Sequence, residues 1–251
     1  MGKLDGRTAL VTGSSSGIGA GVAVAFAREG ADVVVNFPTP RQKAEAEQVR
    51  AQVESEGRRC IAVEADVTDE AATKRLFEEA NEFLGRIDIL VNNAGISETA
   101  PIEKLSAASW DRMIAVHLRG LFLMTRLCLP GMYERDHGKI INTASQLAYI
   151  GAPGYAHYVT AKAGIIGFTR SLALEIGTRN INANCVAPGA TNTPLLDNVS
   201  PELLDQIRAS IPKGRFAEVS DIVPAYVFLA SDEAAFFQGQ CLSPNGGDAF
   251  L

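Results

Sequence analysis

The stretch Thr8-Ala9-Leu10-Val11-Thr12-Gly13-Ser14-Ser15-Ser16-Gly17-Ile18-Gly19 decides the fold. Its first five residues read as a buried strand, and the alanine-rich run Gly17–Glu29 that follows reads as a helix stopped by Gly30. Between them lie glycines and serines in a turn that lets the backbone bend sharply and approach an anion. The helix N-terminus adds free N–H groups and positive potential, which together suit a pyrophosphate. The spacing differs from G-x-G-x-x-G, and the turn lacks the lysine of a P-loop, which disfavours an ATPase. The plain alternative is a tight strand-to-helix turn that needs glycine for geometry alone. The added serines argue against it.

Outward from this turn, strand-length apolar runs alternate with helix-length segments. Asp32–Asn36, Cys60–Glu64, Ile87–Val91, Lys139–Thr143 and Asn182–Val186 read as further strands, and Gly239–Leu242 is a candidate seventh. Their apolarity is continuous rather than alternating, as in a parallel sheet covered on both faces. Arg41–Glu56, a segment capped by Thr68 or Asp69 and running to Phe83, Ala107–Arg135 and Tyr155–Gly177 read as helices. The expected fold is a doubly wound α/β Rossmann sheet of about seven strands with helices on both faces. With no linker or repeat, residues 1–251 form one expected domain. The less regular stretch 190–216 has the length of a functional lid.

The bulk numbers exclude more than they identify. The 251 residues carry a net charge of −6, which argues against nucleic acid or an anionic membrane as partner. Four cysteines without a C-x-x-C pair and three histidines without helical i,i+4 spacing offer no metal site. The polar start Met1–Arg7 lacks the apolar core of a signal peptide, and no run approaches a membrane span; a cytoplasmic protein is expected.

Chemistry concentrates in the second half. Tyr158 and Lys162 are four residues apart and share one helix face. A neighbouring ammonium is expected to lower the phenol's pKa toward the range useful for general acid–base catalysis. Ser145, just past a strand end, should bring its hydroxyl beside Tyr158 to bond a carbonyl oxygen gaining charge.

The order of these features resembles the short-chain dehydrogenase/reductase family over essentially the whole chain. The likeness is carried by the glycine turn, Asp66, Asn92-Asn93-Ala94-Gly95, Ser145, Tyr158, Lys162, Pro188-Gly189 with Thr193, and Asn245-Gly246-Gly247. The chain's general likeness is to the 3-ketoacyl reductases, though related alcohol and sugar dehydrogenases share every one of these motifs. The resemblance implies a nicotinamide cofactor, a homotetramer built on long helices, and hydride transfer between cofactor and a ketone or secondary alcohol. It also implies that Lys162 holds the nicotinamide ribose. The cofactor would lie along Thr12, Gly13, Ser15, Ser16, Gly17, Ile18 and Gly19, then Asn36, Asp66, Val67, Asn93, Ala94 and Gly95. It would end at Tyr158, Lys162, Pro188, Gly189, Thr191 and Thr193.

Two positions depart from the family pattern. Where an asparagine usually links the lysine to solvent through water, this chain has His117, either a proton carrier or a satisfied buried histidine. After the second strand, Asn36-Phe37-Pro38-Thr39 offers no acidic residue for the ribose hydroxyls of NAD, and Arg41 is within reach of a 2′-phosphate. NADP is therefore favoured slightly over NAD. The expected substrate wall includes Ser97, Gln146, Leu147, Tyr155, Leu195 and Leu196, a mainly apolar mixture suited to a small carbonyl or alcohol. The competing expectation is a dinucleotide-binding sensor that has kept the fold and lost turnover.

Overall fold

The computed structural model describes residues 2–197 and 199–250, so the stretch 190–216 is described except for residue 198. Seven parallel strands form one sheet in the order β3-β2-β1-β4-β5-β6-β7. They are β1 (Thr8–Val11), β2 (Asp32–Phe37), β3 (Cys60–Glu64), β4 (Ile89–Asn92), β5 (Gly138–Thr143), β6 (Ile181–Val186) and β7 (Cys241–Leu242). Every residue of β1, β2, β4, β5 and β6 is buried, which is why their sequences show no polar alternation.

The two-residue period of a strand is nevertheless visible in where the side chains go. Ala9, Val11, Val33, Val35, Ile89 and Val91 join one core cluster with Val22 and Phe26 of helix α1 (Gly17–Arg28) and Tyr226 and Leu229 of α9 (Val219–Ala230). Leu10, Val34, Leu90 and Ile140 join the opposite cluster. There they meet Leu76 of α3 (Glu70–Leu84), Met124 and Met132 of α5 (Gly120–Arg135), and Leu172 and Ile176 of α7 (Ala156–Ile176). Helices thus cover both faces, and the chain reverses direction across the sheet between β1 and β4. The carboxyl ends of the strands at such a switch point open into a crevice where ligands bind.

Several boundaries differ from the sequence reading, each for a local reason. Asp69, not Thr68, caps α3: its carboxylate accepts from the backbone N–H of Ala71 (2.7 Å) and Ala72 (2.9 Å). The segment 41–56 splits into a 3-10 turn, Pro40–Gln42, and α2 (Lys43–Ser55). The stretch 190–216 contains a helix, α8 (Pro201–Ser210), started by Ser200, whose hydroxyl accepts from Leu203 N–H.

The expectation that no run approaches a membrane span is corrected by Ala107–Arg135, which is continuous, 29 residues long and apolar enough to cross a bilayer. It comprises α4 (Ala107–Ile114), a π-helical turn (Ala115–Arg119) and α5. Its apolarity has another use here. Half of its most apolar window is buried inside the protein, and Arg119 and Arg126 reach across to Glu70 of α3.

Candidate active site

The glycine turn is fixed from below before any ligand is considered. Gly13 N–H donates to Asn36 Oδ1 (3.1 Å), Ser14 Oγ donates to Val11 O (2.6 Å), and Asn36 N–H donates to Ser14 Oγ (3.0 Å). Across the switch point, Asn93 Nδ2 donates to the carbonyls of Thr12 and Gly13, each at 3.0 Å. The N–H groups of Asn93 and Ala94 donate to Thr12 Oγ1 at 3.0 and 3.1 Å. Gly13 has φ +58°, and a Cβ there would stand 2.6 Å from Ala94 Cα, so only glycine fits. Ser16 occupies the N-cap of α1 without its side chain capping the helix, leaving the first N–H groups free to meet an anion.

A single cleft of about 910 Å³ runs from this turn to the start of α7. Gly13, Ser15, Ser16, Gly17, Ile18, Asn36, Asp66, Val67, Asn93, Ala94 and Gly95 line one part of it. Pro188, Gly189, Thr191 and Thr193, after β6, line another part. Thr12 and Gly19 do not line it; they buttress the turn, and a Cβ on Gly19 would meet Asn93 Nδ2 at 2.5 Å. Asn36 reaches the cleft but is already engaged, since its amide also donates to Ala65 O (3.0 Å) and Val63 O (3.3 Å). Asp66 Oδ1 accepts from Thr68 N–H (2.9 Å) and Thr68 Oγ1 (2.8 Å), which turns the chain after β3. The extended cleft, the uncapped helix start and the absence of room for side chains at the turn fit a dinucleotide.

At the far end, Ser145, Tyr158 and Lys162 share the cleft with His117. Lys162 is buried, its Nζ donates to Thr143 O at 2.6 Å and lies 5.6 Å from the centre of the Tyr158 ring. Burial pulls the lysine down to about 7. Burial also pushes the Tyr158 phenol up to about 12, with the Ser145 hydroxyl drawing it partway back. The sequence led us to expect a lowered phenol. Desolvation outweighs the other influences instead, and the ammonium, committed to Thr143 O, is not among the groups that move it.

His117 sits in the π-helical turn. Its Nε2 is 3.2 Å from Ile96 N and 2.9 Å from Ile96 O, and its ring meets that of Tyr158 edge-on, with centroids 5.5 Å apart. Burial, reinforced by the Lys162 charge, holds its pKa down at about 3, so it is neutral at ordinary pH.

On the substrate side, Ser97, Gln146, Leu147, Tyr155, Leu195 and Leu196 all line the cleft. Burial raises the Tyr155 phenol while Ser97 beside it lowers it partway. Val199, Leu203, Ile207 and Ser210 of the stretch 190–216 line the same cleft, and so do Arg112 and Asp248, which sequence reasoning missed. Asp248 accepts from Gln146 Nε2 (2.5 Å) and from Ser210 Oγ (3.2 Å), joining the C-terminal segment to the residues after β5 and to the end of α8.

A Rossmann sheet with a dinucleotide-sized cleft ending at a tyrosine, a lysine and a serine defines a class. It is that of NAD(P)-dependent oxidoreductases, which move a hydride between cofactor and a ketone or secondary alcohol. The family model described as enoyl-(acyl carrier protein) reductase matches residues 13–248. The chain belongs to the short-chain dehydrogenase/reductase family. It is 41% identical over 247 residues to the BbsD subunit of (2S)-((R)-hydroxy(phenyl)methyl)succinyl-CoA dehydrogenase from Thauera aromatica, covering 97% of each chain. It is 39% identical over 241 residues to the 3-oxoacyl-(acyl-carrier-protein) reductase FabG of Staphylococcus aureus, covering 96% of this chain and 97% of that one. Among solved structures, a proposed short-chain alcohol dehydrogenase from Sinorhizobium meliloti 1021 superimposes with a TM-score of 0.91 at 38% identity. That match covers 98% of this chain and 97% of the other. These relatives give no support to a sensor without turnover.

Proposed function

We propose that Tyr158 is the general acid and base of this oxidoreductase, that Ser145 holds the reacting oxygen, and that Lys162 binds the nicotinamide ribose. The single observation carrying this reading is the convergence of the three side chains at the end of the cleft opposite the glycine turn. When bound, the nicotinamide supplies or takes up the hydride, chemistry no side chain provides. Ser145 donates to the substrate oxygen as it gains charge, and Tyr158 Oη releases its proton to that oxygen in reduction or receives it in oxidation. A phenol raised to about 12 is protonated at neutral pH, so the site stands ready for reduction. Oxidation requires the phenolate and speeds up as the pH rises.

The cofactor reading is NADP. No carboxylate follows β2, the side-chain donors of Asn36 are used internally, and Arg41 is exposed with no ion pair among the described residues. The substrate reading is a 3-ketoacyl thioester or its 3-hydroxy counterpart. Near full-length similarity to relatives named for acyl thioesters supports it, as does the apolar lid lining of Leu195, Leu196, Val199, Leu203 and Ile207. Arg112 at the same cleft offers a charge for a phosphate-bearing carrier. The chain acts as one domain, in a cytoplasmic homotetramer. Exposed Phe122, Leu174, Phe236 and Phe250 support self-association, which sedimentation measurements would test.

The decisive experiment follows nicotinamide absorbance with NADPH and with NADH against ketoacyl thioesters, simple ketones and secondary alcohols. Turnover of thioesters with NADPH, lost in Tyr158→Phe, is expected. Cofactor binding without turnover on any substrate would overturn the reading.

A further inference from the structure

Among the buried polar atoms without a protein partner, two belong to residues that line one small cavity beside the active site: His117 Nδ1 and Asn92 Oδ1. Both residues line one small cavity of about 10 Å³, together with Thr12, Val67, Gly120 and Ile165. That is close to the room a single water needs.

The orientation of the amide follows from its neighbours. Thr169 donates its hydroxyl hydrogen to Ile165 O (2.8 Å), so its oxygen must accept from Asn142 Nδ2 (2.8 Å). Asn142 Oδ1 is then left to accept from Asn92 Nδ2 (2.8 Å), whose other hydrogen goes to Thr125 Oγ1 (3.1 Å). The amino group of Asn92 is saturated, and the atom without a partner is its carbonyl oxygen. On the other side, His117 Nε2 faces both the N–H and the carbonyl of Ile96 and can serve one of them at a time. If Nδ1 is bare, two acceptors share the cavity. If Nδ1 carries the proton, its donor and the Asn92 acceptor still lie beyond direct hydrogen-bonding distance. A water, with two donors and two lone pairs, satisfies both atoms in either tautomer.

We propose that one internal water bridges His117 Nδ1 and Asn92 Oδ1, and that His117 is a positioning residue. Through this water it ties the Gly95–Ile96 backbone to the buried Asn92–Asn142–Thr169 ladder, which crosses β4 and β5 and ends on the helix carrying Tyr158 and Lys162. Both anchored elements border the cleft, and the imidazole is packed so closely on Gly95 that a Cβ there would stand 2.6 Å from His117 Cε1. The role in catalysis rests on the reading of Tyr158 above. The water itself does not.

High-resolution crystallography of the wild type, and 15N NMR of the histidine-labelled apoprotein, test the water without turnover. We expect density for one water between the two atoms and a shift of several ppm in His117 Nδ1 when Asn92→Leu removes the acceptor. An empty cavity in the wild type, or an unchanged Nδ1 signal in a folded Asn92→Leu, overturns the bridge. If Asn92→Leu does not fold, the wild-type density decides alone. For the role, His117→Phe keeps the ring and removes both nitrogens. It should lower kcat about tenfold by displacing the loop and leave the shape of the kcat–pH profile unchanged. Loss of an ionisation from that profile would make His117 a proton carrier and overturn the positioning role.

Discussion

The two ends of the cleft are built on different principles. At the glycine turn, Thr12, Ser14, Asn36 and Asn93 are joined by short hydrogen bonds, and the first three are almost fully buried. In the stretch 190–216, none of the residues of α8 is buried, and Leu195 and Leu203 are exposed by 47% and 38%. One end is made before the ligand arrives; the other waits for something apolar to cover it. Pre-organisation suits a cofactor of constant shape, and a lightly held lid suits substrates that must enter and leave.

The largest expected effect lies between the two ends. Tyr158→Phe removes the proposed proton donor, keeps the ring that packs against His117 and Tyr155, and should lower kcat by about 10²–10⁴-fold. Cofactor affinity, measured by fluorescence titration, should stay within about twofold if the turn end is independent of the chemistry. A parallel loss of cofactor binding would break the contrast between the ends.

At the turn itself, Gly13→Ala forces a left-handed backbone on a side chain and drives its Cβ toward Ala94. Strain of about 1–3 kcal/mol, roughly 5–150-fold, should appear in cofactor affinity, with thermal stability reduced alongside. Unchanged affinity would mean the turn is not held as rigidly as its hydrogen bonds suggest.

Lys162 marks where a functional demand is met at the expense of stability. Its pKa falls from 10.5 to about 7 on folding, so the unfolded chain binds more protons between those values. Wild-type stability therefore declines as the pH falls from 10.5 to 7, and levels off below that. In Lys162→Met this group no longer titrates. The variant's Tm should gain on the wild type by roughly 5 °C or more between pH 10 and pH 7, while activity is lost. A constant difference across that range would show that the amine is better solvated than its burial indicates.

The same contrast governs what could be read from the sequence. The turn end is local: strand, glycines and helix follow one another in the chain, so composition and spacing announce them. The sheet was legible because its strands are covered on both faces. Only their ends were misjudged, as with Asn92, which pairs with Asn142 although it is polar. The π-helical turn at Ala115–Arg119 left no mark in the periodicity. Helix α8 did carry a start signal in Ser200-Pro201-Glu202, but its apolar side chains contribute nothing to the core, so the pattern read as irregular. Asp248 was not legible at all, because its partner Gln146 is 102 positions away and no local pattern encodes such a contact.

That long-range contact supplies the smallest effect and the sharpest test of the lid. Asp248 holds Gln146, next to Ser145, and Ser210, at the end of α8, so its carboxylate links α8 to the segment after β5. Asp248→Ala leaves Gln146 Nε2 without its acceptor and releases the end of α8. On the scale of a hydrogen bond to a charged group, discounted because Asp248 is partly exposed, the substrate KM should rise by about tenfold. The cofactor KM should not move, since the glycine turn shares no partner with Asp248. Asp248→Asn, which keeps an acceptor oxygen for Gln146, should recover part of the loss. If both KM values rise together, the lid and the turn are one mechanical unit, and the division of the cleft into a made end and a waiting end is wrong.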